Sequence, residues 1–311
     1  MSGLQKNLFQ KYLERRKRKK EEAKKKKPEN FFEMAISWIR TLLGAIIIVM
    51  IINGLAIASF VVPTGSMENT VMTGDFLIVN KFIYGPSTPQ VIPFLNIALP
   101  FFKFPGFKDP EPGDVIVFIY PGDKDEVEPK EFQYYLKRCI AVAGDTLQII
   151  NKKVYVNGKE QPLPENAKFS RPVFDGDSYR TFPPGRGFSG DNYGPLRIPK
   201  KGDIIHLNPA NYFEWEVFIL REGHEIYISG GDIYIDNKKT NKYVVERDYC
   251  FGMGDNRDNS EDSRYWGYIP YENVVGTPIF VYWSWDTNKP LTQIFEKLAT
   301  VRWSRIFTFI D

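Results

Sequence analysis

The sequence predicts a mostly β protein: an N-terminal single transmembrane helix followed by an antiparallel β-rich core that carries a large β-rich insert. Three observations predict it. One uncharged apolar run stands near the N-terminus, short strand-like segments separated by turn residues fill the remainder, and no long amphipathic helices alternate with them. The last point argues against a parallel α/β sheet.

The apolar run comes first. No charged residue lies between Arg40 and Glu68, and residues 41–62 are 22 residues with Asn53 as the one strongly polar side chain. As a helix this run would span about 33 Å, slightly more than the hydrocarbon core of a bilayer. In front of it stand RRKRKK at 15–20 and KKKK at 24–27. The positive-inside rule then keeps the N-terminus in the cytoplasm and exports everything after Val62. Ala56-Ile57-Ala58 has the small-x-small form of a cleavage site, but the run is longer than a signal-peptide core and forty residues is a long leader, so an uncleaved anchor is expected.

Strand signals follow at 75–83, 114–120, 132–143, 146–150, 153–157, 232–236, 242–251 and 274–285, with Asn157-Gly158 as a hairpin turn. The segment 159–200 is irregular and rich in Pro, Gly and Asp. Residues 291–307 fit helix and strand equally. The apolar, proline-broken stretch 91–107 is too short to span a bilayer; it either covers the core or dips into the headgroup region. The expected division is a basic cytoplasmic tail (1–40), a transmembrane helix (41–62), a β core from 63–146 and 250–311, and an inserted second β-rich domain (147–249).

Composition narrows the function. The 311 residues are 43% hydrophobic and 25% charged, which excludes a disordered chain. The formal net charge of +3 hides a segregation: residues 1–33 hold 12 Lys and Arg against 5 Asp and Glu, leaving 29 against 33 in the rest. A slightly acidic body argues against nucleic acid as partner. The two cysteines, Cys139 and Cys250, read as two buried thiols or one bridge. The two histidines, His206 and His224, have no metal-ligand spacing, so zinc hydrolysis and Ser-His-Asp chemistry begin with few candidate residues, and neither a metal nor a cofactor is expected.

Three segments can carry chemistry. Pro63-Thr64-Gly65-Ser66-Met67 places a serine just beyond the membrane run; Glu68 and Asn69 exclude a nucleophile elbow and a Ser-x-x-Lys motif. In a strand over 132–143, Lys137 shares a face with Tyr135 and Cys139 while Arg138 points away. A lysine on an apolar face is costly while charged, and a neutral lysine is a competent base for serine. Residues 252–267, GMGDNRDNSEDSRYWG, gather alternating charges around Ser260 and Ser263; the spacing fails as a calcium loop and suits a rigid buried polar site.

Taken together, PTGSMENTVMTGDFLIVNKFIYG, PGDVIVF, LKRCIAVAGD and GDNRDNSEDSRYWG resemble, in order, the conserved boxes of the bacterial type I signal peptidases, the leader peptidase family of Ser-Lys serine proteases. The resemblance implies a membrane-bound serine endopeptidase that cleaves N-terminal signal peptides from exported precursor proteins through an acyl-enzyme. It implies Ser66 as nucleophile and Lys137 as general base. Thr64 and the Ser66 N–H would form the oxyanion hole, Ser260 would position the lysine amine, and Asp262 and Arg264 would form a structural ion pair beneath the site. Asn69 stands where the family usually has Pro, and Ala143 replaces the usual Pro before Gly-Asp. The implied partners are precursor proteins and the lipid bilayer, and the implied place is the inner (cytoplasmic) membrane, with the catalytic part outside. A self-cleaving Ser-Lys repressor protease would be cytosolic, which the membrane run opposes. A non-enzymatic, membrane-tethered β-domain acting as an assembly partner is the alternative.

Overall fold

A computed structural model describes residues 14–17, 31–87, 91–92, 97–98 and 102–310. The chain separates into two compact units, Met1–Met50 and Ile51–Asp311. Helix α1, Phe31–Leu55, contains a stretch, Phe31–Met50, long and apolar enough to cross a membrane. Its Trp38, Ile39, Leu42, Leu43, Ile47 and Ile48 are all exposed, as suits a helix whose surroundings are lipid.

The helix boundaries differ from the expected 41–62. The helix starts at Phe31, taking in Glu33 and Arg40, and stops at Leu55, and the last part of the apolar run is strand β1, Ile57–Val61. An uncharged run satisfies helix and strand alike. What decides is the partner: β1 pairs antiparallel with β2, Asp75–Asn80, from Ile57 opposite Asn80 to Val61 opposite Phe76.

Five more strands complete the central sheet: β3 (Val115–Ile119), β4 (Tyr134–Ala141), β5 (Tyr249–Met253), β6 (Ile269–Pro270) and β7 (Val274–Ser284). The order is β1-β2-β7-β3-β4-β5-β6, with antiparallel pairing throughout. The sheet is covered on both faces, and β3 reads out the alternation. Val115 and Val117 join Met67, Val71, Leu77 and Val79 in one core, while Ile116 and Phe118 join Cys139, Cys250, Trp266 and Ile269 in another. A strand buried on both sides needs no polar alternation, which is why VIVFI is apolar throughout. Cys139 and Cys250 are free thiols, both buried.

A second sheet is built from Tyr193–Arg197, Thr146–Ile150, Lys153–Val156 and Lys159–Glu160, mostly within the 147–249 stretch. Its core includes Leu147, Ile149, Tyr193 and Ile198 and runs on into Ile140, Ala141, Phe251 and Met253 of β4 and β5. The Asn157-Gly158 turn forms as expected, with φ of 53° and 76°. Asn151-Lys152 and Asp236-Asn237 make left-handed two-residue turns as well. Among the described residues three helices follow α1: α2 (Tyr212–Arg221), α3 (Ser263–Trp266) and α4 (Ile294–Ala299). The first lies inside the insert, where sequence reasoning placed no helix. The ambiguous 291–307 stretch forms α4 between two 3-10 turns. Much of 91–107 lies outside the described residues; Val91–Ile92 and Ile97–Ala98 pair there, and Phe102, Phe104 and Phe107 are exposed.

One local device recurs. Before Asp75, Asp114, Asp145 and Asp203 stands a glycine at positive φ. Each aspartate carboxylate accepts the N–H three residues back, from Met72, Glu111, Val142 and Lys200 at 2.8–3.2 Å. Residues 112–116 (PGDVI) and 201–205 (KGDII) thus share one turn chemistry. Ala143 sits in the third of these turns, which closes without the usual proline.

Candidate active site

The site is assembled from β4, the turn after β1 and the loop after β5. Lys137 sits opposite Ile116 on β3, inside the sheet and only 4% exposed. Its Nζ donates to Ser66 Oγ at 2.8 Å and stands 5.5 Å from the centre of the Tyr135 ring. Burial lowers its pKa from 10.5 to about 8, against the opposing pull of the Asp262 carboxylate. A charged ammonium loses its hydration there, so the neutral amine is favoured.

Ser66 is half-buried and rests in a turn held by the loop after β5. Asn256 N–H donates to Ser66 O at 3.0 Å, and Asn256 Nδ2 donates to Gly65 O at 3.0 Å. Thr64 Oγ1 lies 3.4 Å from Ser66 Oγ, so the two hydroxyls face the same space. Asn69, with φ of 80°, takes a left-handed conformation that proline cannot adopt. The turn here is therefore built differently from one carrying proline at that position.

Two glycines let these parts approach. A Cβ on Gly254 would lie 2.2 Å from Ser260 Oγ and 2.5 Å from Ser66 O. A Cβ on Gly252, opposite Cys139 in the β4–β5 pairing, would lie 3.0 Å from Lys137 Cβ. The first contact forbids any side chain; the second would press on the stem of the lysine.

Beneath the site the expected ion pair is present. Arg264 Nη2 and Nε donate to Asp262 at 2.8 Å each, and both residues are buried. Asp262 also accepts the Gly254 N–H at 3.1 Å, so the pair fixes the backbone that faces Ser66. Burial pushes the Asp262 carboxyl upward, but the Arg264 guanidinium overrides it and leaves the pKa below the ordinary value.

Ser260 differs from expectation. Its Oγ is buried and has no hydrogen-bond partner among the described residues. It packs against Gly254, while the lysine amine is directed to Ser66. Sequence reasoning also missed a second buried ion pair, Arg138 to Asp255, at 2.8 and 3.0 Å, with Thr70 Oγ1 donating to Asp255 at 2.5 Å. The strand alternation that turned Arg138 away from Lys137 was its only signal. His224 is held by Asp236 and Glu246, in the insert. Among the described residues no group of three His, Cys, Asp or Glu could hold a metal ion.

The family model for signal peptidases, peptidase S26, matches residues 35–283, and the chain belongs to that family. It is 31% identical over 295 residues to a signal peptidase I of Helicobacter pylori (strain J99), covering 88% of this chain and 91% of that one. It is likewise 31% identical over 283 residues to a signal peptidase I of Rickettsia typhi, covering 84% and 89%. A crystal structure of a signal peptidase I from Enterococcus faecalis is 17% identical, with a TM-score of 0.27, covering 55% of this chain and 97% of that one.

Proposed function

We propose that the chain is a membrane-bound serine endopeptidase that removes N-terminal signal peptides from exported precursors, with Ser66 as nucleophile and Lys137 as general base. The observation that carries the reading is the 2.8 Å hydrogen bond between Lys137 Nζ and Ser66 Oγ, made by an amine whose burial disfavours its charged form.

The neutral amine takes the Ser66 proton as Oγ attacks the scissile carbonyl carbon. Negative charge develops on the carbonyl oxygen, where the Ser66 N–H and the Thr64 hydroxyl can donate to it. The C–N bond then breaks, the Lys137 ammonium returns its proton to the leaving amine, and the signal peptide remains as an ester on Ser66. Water, deprotonated by the same lysine, attacks the ester carbonyl; as the C–O bond breaks the Lys137 ammonium returns the proton to Ser66 Oγ, and the signal peptide leaves as its carboxylate.

The precursor enters as an extended strand, with shallow pockets admitting small side chains. The apolar α1 and the basic residues before it support a single-pass anchor in the inner membrane, N-terminus inside and catalytic part outside. A signal peptide's apolar core lies in the same bilayer, so its cleavage site emerges near the anchored enzyme. Chemistry resides in 63–146 and 250–311, which supply every residue named, and 147–249 is an elaboration. The test is to mix the purified full chain with one precursor and sequence the product's new N-terminus. Cleavage after a small-x-small site, abolished in Ser66→Ala, supports the reading. An inert Ser66→Ala change would revive the assembly-partner alternative.

A further inference from the structure

Arg257 is 2% exposed, yet its Nε and Nη1 have no hydrogen-bond partner among the described residues. Only its main chain is fixed: the N–H donates to Lys168 O at 3.0 Å, and the carbonyl accepts from Arg264 Nη2 at 2.6 Å. The nearby carboxylates are committed elsewhere, Asp255 to Arg138 and Asp262 to Arg264. A buried guanidinium without a partner is costly, because water has been removed and nothing has replaced it. The cost is legible in its pKa, which burial and then the neighbouring Arg264 press down from 12.5 to about 10.

Arg257 lines a cavity of about 600 Å³ between β4 and the insert. The other cations of its wall are satisfied: Arg138 by Asp255, Lys152 and Arg171 by Asp258, and Lys153 by Glu160. Glu160, the one carboxylate of the wall among the described residues, is thereby neutralised. The rest of the wall is largely apolar, with Ile140, Val154, Leu163, Phe169 and Val173. The cavity therefore combines one uncompensated positive charge with a hydrocarbon surface.

We infer that this cavity is an anion site in which Arg257 binds a phosphate group, either as free phosphate or as the headgroup of an anionic phospholipid. Phosphate supplies the negative charge that no carboxylate of the wall provides, the counter-ion a buried guanidinium pairs with best. The apolar wall suits a phosphate with acyl chains attached. The lipid source rests on the membrane anchoring proposed above; the anion site does not, and it makes no use of the serine.

The test is calorimetric titration of the full chain, in non-ionic detergent, with inorganic phosphate, with dihexanoyl phosphatidylglycerol and with dihexanoylglycerol. Binding of either phosphate compound is expected, and binding at least tenfold weaker in Arg257→Gln. Tighter binding of the phospholipid than of phosphate identifies a headgroup site, and equal binding identifies a free-phosphate site. Leu163→Glu, at a position 51% exposed, introduces a competing carboxylate at the wall without touching the core. It should weaken phosphate binding by a similar factor, which keeps the test decisive if Arg257→Gln fails to fold. Unchanged affinity in Leu163→Glu, no binding of either phosphate compound by the wild type, or dihexanoylglycerol binding as tightly as the phospholipid would overturn the inference.

Discussion

Asn256 holds the Ser66 turn by two hydrogen bonds, its backbone N–H to Ser66 O and its side-chain Nδ2 to Gly65 O, each 3.0 Å long. The loop after β5 thus sets the peptide units on which the attacking hydroxyl is carried. Replacing Asn256 with Ala removes one of the two donors to the Gly65 carbonyl, the other being the Glu68 N–H at 3.0 Å, and a lost hydrogen bond of this kind costs about 1 kcal/mol. Because the bond positions a reacting group, the loss is expected in kcat, about tenfold or more, with KM little changed. An equal rise in KM at constant kcat, measured on a precursor peptide, would assign Asn256 to substrate binding instead.

Ser66→Ala removes one half-buried hydroxyl at little packing cost. Cleavage is expected to fall below about a thousandth of wild type with the thermal transition unmoved. Thr64→Val should lower turnover on the order of a hundredfold, the usual effect of losing one oxyanion donor, whereas Thr64→Ser should be close to silent. A silent Thr64→Val would mean that other donors build the hole.

Gly254→Ala offers a purely steric test. Its Cβ would meet both Ser260 Oγ and Ser66 O, and the second is backbone that cannot move without displacing Ser66. The variant is expected to be inactive and destabilised. Adding Ser260→Ala should not restore cleavage, because the clash with Ser66 O remains. Full rescue by the second change would show that the backbone contact is unimportant.

The strands of the core were readable because each carries its own pattern; Val115–Ile119 and Tyr134–Ala141 announce themselves locally. Ser66 and Lys137 were readable because short motifs surround them, and the Asp262–Arg264 pair because its members are two residues apart. What could not be read depends on contacts far apart in the chain. Asn256 reaches Ser66 and Arg138 reaches Asp255 across more than a hundred residues, and no local pattern encodes either partner. The end of α1 failed for a related reason, since Ile57–Val61 is a strand only because β2 is there to pair with it. The missing bond at Ser260 is a matter of where one amine points, which sequence spacing does not determine.

Asp262 gives the acid side of the stability profile. Its pKa is below the ordinary value in the folded chain, so its contribution is present above the unfolded carboxyl value and is lost as pH falls through the folded one. Wild type should therefore lose stability on acidification more steeply than Asp262→Asn, which is expected to be less stable at pH 7. Parallel denaturation profiles between pH 3 and pH 7, readable by chemical denaturation, would contradict this assignment.

Lys137 supplies the alkaline side, and with it a conflict between stability and activity. Its pKa falls from 10.5 to about 8 on folding because burial penalises the ammonium. Between those values the unfolded chain binds more protons than the folded one, so stability rises with pH across that window, and below about 8 the penalty is fully present. The difference corresponds to roughly 3 kcal/mol at most. Lys137→Met, which keeps the stem and removes the charge, should therefore stabilise the protein at pH 7 while abolishing cleavage. Lys137→Arg should be inactive and destabilised, since guanidinium stays charged. In the wild type, kcat/KM should climb with pH through a limb near 8, where the amine becomes neutral and able to take the Ser66 proton. That limb should survive replacement of both His206 and His224. A limb that vanishes with the histidines, or a Lys137→Met enzyme that turns over normally, would remove Lys137 from the role of base.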